Sequence, residues 1–406
     1  VLSHKATEVV RATLPAVGAA IGDITPLFYK KMFAAHPELE RDLFNRGNQA
    51  SGEQQKALAG SIATYATLLI TPGAPPPREL ISRIAHKHAS LGVTAEQYLI
   101  VYEHLFAAIA EVLGSAVTSE VAEAWTEVYW DMANTLIEAE RGLYRAASVE
   151  DGDVWRTVDV VARRYESADA VSFVLAGADE AALPPFLPGQ YISVGVTLPD
   201  GGRQIRQYSL SAAPRTDRWR ITVKRIAQLE GDGGVNQPAG EVSNYLYNNV
   251  FEGDQLQVSL PFGDVTLHGM GTEPLVFITA GIGCTPVMSM LGHLAESGSE
   301  RRVTVVHADR NKAAHAFRDE LKTAVDQLPT AVLYRWYEDL GNRAETDSVR
   351  SGFVDLSGVD IPADAHVYLC GPLPFMQAVR AGLRDLDVAA DRVHYEVFGP
   401  DAWLAS

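Results

Sequence analysis

The chain has 406 residues, 47% hydrophobic and 21% charged, with a formal net charge of -17. That length implies two or three domains with ample core, and the acidic balance argues against nucleic acid and anionic membranes as partners. The two cysteines, Cys284 and Cys370, exclude a disulfide framework or thiolate metal cluster and suit a reducing cytoplasm.

Residues 1–147 carry helix-period apolar patterns and little strand-like alternation. Ile24, Phe28, Tyr29, Met32 and Phe33 mark one helix, ended by a turn at His36-Pro37. Leu43-Phe44 precedes a polar loop. Gln54 to Leu69 reads as a helix with Leu58, Ile62, Tyr65 and Leu69 on one stripe, and the proline-rich stretch from Pro72 ends it. The next helix places Ile81, Ile84, His88 and Leu91 on one face at ~100° per residue, which turns His88 inward and His86 outward. A histidine facing an apolar interior is either a satisfied core residue or a ligand, and helical phase leaves both open. Helices from Ala95 to Leu113 and from Ser119 to about Tyr144 complete an all-α bundle.

Residues 148–153 are short and polar and read as a linker. Trp155–Arg163, Ser172–Leu175, Tyr191–Val196, Trp219–Lys224 and Leu256–Leu260 then alternate, which predicts a small antiparallel β-barrel over 154–266. Over 272–406, apolar strands at Leu275–Ala280, Arg302–His307, Ala331–Tyr337 and His366–Cys370 alternate with helices at Ala314–Gln327 and Pro374–Leu386. That alternation predicts an α/β domain with a parallel, doubly wound sheet. The apolar stretch Pro274–Leu294 is broken by Gly281, Gly283 and Pro286, so it reads as strand, turn and helix, and no transmembrane segment is expected. Nor is a signal peptide expected, since no basic segment precedes an apolar run near the amino terminus.

Four motifs carry chemistry. In Arg206-Gln207-Tyr208-Ser209 the arginine can pair with phosphate, the tyrosine can stack on a flat ring and the serine can hydrogen-bond a flavin edge. Gly240-Glu241-Val242-Ser243 offers small residues and backbone N–H groups to a diphosphate. Gly281-Ile282-Gly283-Cys284-Thr285-Pro286 joins a strand to a helix, where glycines let the backbone approach a pyrophosphate. Cys370-Gly371-Pro372 ends a later strand, and a nicotinamide ring can lie against such a turn. Taken singly, the last two are also ordinary turns.

In this order the motifs resemble the ferredoxin reductase family, an FAD-binding barrel followed by an NAD(P)-binding domain. The resemblance implies that Tyr191, Arg206, Gln207, Tyr208 and Ser209 contact FAD, with Gly240, Val242 and Ser243 near its diphosphate. It assigns Gly281–Pro286 and Cys370–Pro372 to NADH or NADPH, and Val397-Phe398-Gly399-Pro400 to the edge of the isoalloxazine. Val397 replaces the cysteine usual there, a nearly neutral change.

With a helical domain in front, the whole chain resembles the flavohaemoglobin family. This implies a haem b whose iron is held by His88, supported by Tyr98 and Glu140, with Glu138 the compositional rival of Glu140. A carboxylate on the imidazole N–H gives imidazolate character and favours O2 activation. Tyr29 and Gln54 match the distal pair that reaches O2, with Gln55 the rival of Gln54. Leu58 matches the distal wall, Phe44 the aromatic wedge on the haem, and Lys87 with Glu396 a pair between haem and flavin. The stretch Ile226–Ala239 is longer than the resemblance implies.

The implied activity is nitric oxide dioxygenation. NAD(P)H reduces FAD, electrons pass singly to haem, and its O2 complex converts NO to nitrate. The alternatives are a haem and flavin reductase for another substrate such as lipid hydroperoxides, or a gas- or redox-sensing globin, for which no output module is visible. NADH versus NADPH stays open, with Arg310 only suggestive, as do monomer versus dimer and a lipid in the haem pocket. A cytoplasmic location is expected.

Overall fold

The computed structural model describes residues 2–73, 78–228, 238–267 and 271–399. Its helical part contains α1 (His4–Ala35), α2 (Pro37–Asp42), α3 (Arg46–Ala50), α4 (Glu53–Ile70), α5 (Arg78–Leu91), α6 (Ala95–Leu113) and α7 (Ser119–Ala146). The Ser3 hydroxyl caps α1 by accepting the Ala6 N–H. Unlike the expected shorter helix, α1 runs through Pro15 and Pro26. Each proline removes a backbone donor, but buried Val10, Val17, Ile24, Phe28 and Met32 hold the helix to the bundle. Thr94 and Gln97 form a capping box that starts α6.

Two neighbouring cores matter for function. Tyr65, Ile81, Ala85, Tyr98, Ala133, Leu136 and Ile137 pack together around α5 and α7. Ile24, Phe28, Tyr29, Met32 and Leu105 form another, with Phe44 and Leu58 at its margin. Tyr129 packs against both. The window Ala95–Ala116 has a mean hydropathy of 1.4, enough by length and composition for a membrane span. Within it Tyr98, Leu105 and Ala108 are buried against the bundle, and 11% of the apolar window is buried.

Strands β1 (Trp155–Tyr165), β2 (Ala170–Gly177), β3 (Tyr191–Thr197), β4 (Arg203–Ser209), β5 (Trp219–Lys224) and β6 (Gln255–Ser259) form a sheet in the order β4-β3-β6-β1-β2-β5. β2 pairs antiparallel with both β1 and β5. A bridge between Leu210 and Ile221 brings the two ends of that order together, giving the barrel. β4 escaped the sequence pattern because its run of arginines and glutamines hides the alternation. Helix α8 (Glu241–Asn249) also escaped it, being short and entered from a glycine.

The second sheet is parallel throughout its described pairs. It contains β7 (Leu275–Ala280), β8 (Val303–Asn311), β9 (Ala331–Asp339), β10 (Val349–Ser351), β11 (His366–Cys370) and β12 (Val393–Glu396), ordered β10-β9-β8-β7-β11-β12. Helices α9 (Thr285–Glu296), α10 (Arg318–Asp326) and α11 (Leu373–Asp385) connect them. α10 starts at Arg318 instead of the expected Ala314, because Phe317 sits in the left-handed region at φ 59° and breaks the helix there. Strand order reverses between β7 and β11, the topological switch point where doubly wound sheets bind ligands.

The chain divides into two compact units. The first comprises described residues 2–156 and 195–206, the second 157–194 and 207–399. The linker belongs to the first: a Cβ on Gly152 would lie 2.8 Å from the Thr94 methyl and 3.2 Å from the Gly92 carbonyl. So does the tip of the β3–β4 hairpin. There Gln204 Nε2 donates to the carbonyls of Arg41 and Phe44 at 3.3 and 3.2 Å, and Gln204 Oε1 accepts the Arg46 N–H at 3.2 Å. Arg46 Nη1 pairs with Asp200 at 2.6 Å, and Asp42 accepts the Arg203 N–H at 3.2 Å.

Candidate functional site

His88 lies in the last turn of α5. Its Nδ1 is 2.9 Å from Glu140 Oε1 and 2.9 Å from the Tyr98 hydroxyl, and that hydroxyl donates to the same carboxylate oxygen at 2.5 Å. A carboxylate only accepts, so the imidazole proton belongs on Nδ1 and the lone pair on Nε2. Among the described residues no hydrogen bond engages Nε2. The His88 side chain is 34% exposed, whereas that of Glu140 is 3% exposed. A carboxylate that deep needs its donors: hydrogen bonds to charged groups contribute about 1.5–3 kcal/mol each. Burial first, and then the Glu140 charge, raise the Tyr98 pKa, so the phenol stays a donor. A second layer fixes this set, since the Tyr129 hydroxyl donates to the Tyr98 carbonyl at 2.5 Å and that of Tyr144 to Val93 at 2.6 Å. Glu138 instead pairs with Arg141 at 3.1 Å. One nitrogen with a free lone pair, backed by a buried carboxylate, suits a metal ligand.

Tyr29 sits on α1 and is buried. Burial raises its pKa, while hydrogen bonds from the Gln54 and Gln49 side chains act in the opposite direction. Phe28, Phe33 and Phe44 surround its ring at centroid distances of 4.6, 5.6 and 5.9 Å. A cavity of about 290 Å³ opens beside it, lined by Tyr29, Lys30, Phe33, Arg46, Gln49 and Gln55 among others. Gln55 lines this pocket and donates to Gln49 Oε1 at 3.1 Å, whereas Gln54 bonds the Tyr29 side chain and is not part of the lining. Gln49 and Arg46 were missed in the sequence, where neither has a local signal. Leu58 is partly buried at the same core.

In the barrel, Tyr191 and Ser209 are buried and Gln207 Nε2 donates to Ser193 Oγ at 2.9 Å. Arg206 Nη1 donates to the Ile205 carbonyl at 2.8 Å, and Tyr208 is half-buried on β4. Gly240 precedes α8, whose first turn holds buried Val242 and Ser243. The Gly240 N–H donates to the Ile226 carbonyl at 3.0 Å, and Ser243 Oγ accepts the Ile226 N–H at 3.2 Å. These bonds tie together the two ends of the long stretch Ile226–Ala239, of which residues 229–237 lie outside the described set.

At the switch point the two remaining motifs meet. Gly281, at φ 54°, turns the chain after β7 into the first turn of α9. A Cβ on Gly283 would lie 2.5 Å from the Cys370 carbonyl oxygen and 2.8 Å from the Gly371 nitrogen. Only glycine lets these backbones approach so closely. Gly283→Ala should therefore push the turns apart and slow flavin reduction by NADH about tenfold or more in stopped-flow traces, with flavin content retained; an unchanged rate would refute this. The Cys284 thiol is pushed up to about 12, by burial first and Asp309 next, and burial raises Cys370 as well. Thr285 and Pro286 open α9, and Pro372 precedes α11. Pro286, Cys370 and Glu396 border one narrow cleft with Val265, Met290 and Tyr368. Lys87 lies on α5 in the first unit and Glu396 ends β12 in the second. Val397 and Gly399 follow, joined by a hydrogen bond of 3.0 Å, with Phe398 half-exposed between them. Pro400 lies outside the described residues.

Comparison with known proteins matches residues 27–136 to the globin family and residues 277–381 to the oxidoreductase NAD-binding domain. A flavohemoprotein of Bordetella parapertussis is 45% identical over 407 residues, covering 98% of each chain. The crystal structure of a flavohemoglobin from Malassezia yamatoensis with bound FAD and heme is similar at a TM-score of 0.87 and 39% identity, covering 98% of this chain and 100% of that one. The FAD/NAD-binding domain of nitric oxide dioxygenase from Vibrio cholerae O1 biovar El Tor is also 39% identical, with a TM-score of 0.54, covering 60% of this chain and 99% of its own. With likeness at this level along nearly its whole length, the chain belongs to the flavohaemoglobin family.

Proposed function

We propose that this flavohaemoglobin is a nitric oxide dioxygenase that holds haem b and FAD and draws on NADH or NADPH. In the overall reaction the two electrons of one hydride convert two molecules of NO and two of O2 into two nitrates. The observation that carries this reading is the Tyr98–Glu140–His88 chain, in one unit with the Tyr29–Gln54 pair and in one polypeptide with the glycine turns of the switch point. When bound, the three groups supply hydride acceptance, single-electron transfer and oxygen binding.

The protein's part is binding, orientation and proton placement. Glu140 keeps the proton on His88 Nδ1, so Nε2 would hold the iron, and the carboxylate raises the basicity of the ring. Tyr98 shares that carboxylate and fixes its position. Tyr29 stays protonated through the working pH range, because burial raises its pKa, and so remains a donor to developing negative charge. Gln54 and Gln49 orient its hydroxyl. Phe44 and Leu58 would pack on the porphyrin, and Lys87 and Glu396 would tune the potentials. Tyr191, Arg206, Gln207, Tyr208, Ser209 and the start of α8 would hold the flavin, with residues 397–400 at its ring. Residues Gly281–Pro286 and Cys370–Pro372 would hold the nucleotide. The cavity beside Tyr29 accepts diatomic gases with room to spare. Both cysteines are free and buried, which suits a cytoplasmic enzyme.

The test is NO consumption by the loaded protein. Nitrate should appear in step with NO loss when O2 and NADH are both present. Steady NADH oxidation with no acceleration of NO loss under O2 would overturn the reading.

A further inference from the structure

The nucleotide crevice contains an ion cluster that spans the barrel and the parallel sheet. Asp169 lies in the turn between β1 and β2. Its Oδ2 is 3.0 Å from Arg310 Nη2 and 3.7 Å from Lys224 Nζ. Ser167 Oγ donates to its other oxygen at 2.7 Å and so fixes the carboxylate. Lys224 ends β5, and its ammonium stands 3.9 Å from where a Cβ on Gly281 would be. One cation of the cluster therefore sits at the phosphate-binding turn.

The other sits at the end of β8, the strand after β7. In a doubly wound sheet that strand end meets the adenosine ribose, and an arginine there accommodates a 2′-phosphate. Arg310 occupies the position, but it is already paired. Its neighbour Asp309 is buried, and Asp309 Oδ2 has no hydrogen-bond partner among the described residues. That carboxylate lies 3.8 Å from His307 Nε2 on the inner face of β8, so a 2′-phosphate arriving here would meet an arginine already held by Asp169.

We infer that Asp169 is a specificity-determining residue that turns the protein toward NADH by holding Arg310 away from a 2′-phosphate. This rests on the placement of the nucleotide along Gly281–Pro286 proposed above. The half-exposed pair contributes little to stability. Its effect is on discrimination, because a dianion must break the pair to reach Arg310. Lys224 serves the pyrophosphate common to both nucleotides, so it alters affinity without altering preference.

The test uses the haem- and flavin-loaded protein and calorimetric titration with ADP-ribose and 2′-phospho-ADP-ribose. Flavin content and melting temperature serve as checks on folding. The wild type should bind ADP-ribose more tightly. In Asp169→Asn, release of Lys224 should tighten both ligands by a common factor, while the ratio of their dissociation constants shifts about tenfold toward the 2′-phosphorylated one. The KM ratio of NADPH to NADH should move in parallel, and adding Arg310→Gln should cancel the shift. An unchanged ratio in Asp169→Asn, or a shift that survives loss of Arg310, would overturn the inference. Failure of the wild type to bind either ligand would instead overturn the nucleotide placement, and the inference with it.

Discussion

Haem uptake should fail in His88→Ala and survive in Glu140→Gln, yet the second variant should consume NO about 10–100-fold more slowly. His88 supplies a nitrogen whose ring proton is held elsewhere, so removing it removes the proposed ligand. Glutamine keeps the shape of Glu140 and can still accept from Nδ1 and from Tyr98, whose distances to the carboxylate are 2.9 and 2.5 Å. What it loses is charge. A neutral acceptor leaves the imidazole less basic, so the ferric state is less favoured and the haem potential should rise. Spectroelectrochemistry reads that shift directly. Tyr98→Phe should move the potential the other way, because Glu140 loses a donor and keeps more of its charge for the ring. A Glu140→Gln protein with the parental potential and turnover would show the carboxylate to be structural only.

Tyr29→Phe should speed O2 release from the reduced protein about 10–100-fold, the range expected when one strong hydrogen bond is lost in a dry site. The substitution also leaves the Gln54 and Gln49 side chains without the hydroxyl they share. For that reason Gln54→Ala and Tyr29→Phe should be markedly non-additive. The pH dependence follows from the direction of the Tyr29 shift. A tyrosine pKa raised above its ordinary value of about 10 leaves the neutral donor in place below that pH, and its contribution fades only above it. The O2 release rate of the parent should therefore stay flat between about pH 6 and 9. Flash photolysis across that range tests both statements. Equal release rates in parent and variant would remove Tyr29 from the oxygen site.

The sequence revealed these sites unevenly. Helical phase separated His88 from His86, because a buried stripe imposes its period on the residues around it. The parallel sheet was legible from its apolar strands, since β7 is buried on both faces. Glu140 could be chosen over Glu138 only through family likeness; in the fold, Glu138 faces Arg141 and Glu140 faces the core. β4 was hidden because its arginines and glutamines interrupt the apolar alternation. Gln49, Arg46 and Asp169 left no trace at all. Their roles come from partners far along the chain, and a single sequence carries no period that records such pairs.

The hairpin tip that grips the Phe44 corner bears on how such a protein could be assembled from parts. Buried Gln204 supplies three hydrogen bonds to Arg41, Phe44 and Arg46, and Asp200 anchors the Arg46 side chain. All of these partners belong to the helical unit, although the hairpin is encoded inside the barrel. A fragment ending at residue 147 would keep α1 to α7 and lose this brace, leaving the carbonyls of Arg41 and Phe44 to water at the margin of the Tyr29 core. A cut at the linker therefore does not follow the boundary of the compact unit, because residues 195–206 pack with the helices they brace.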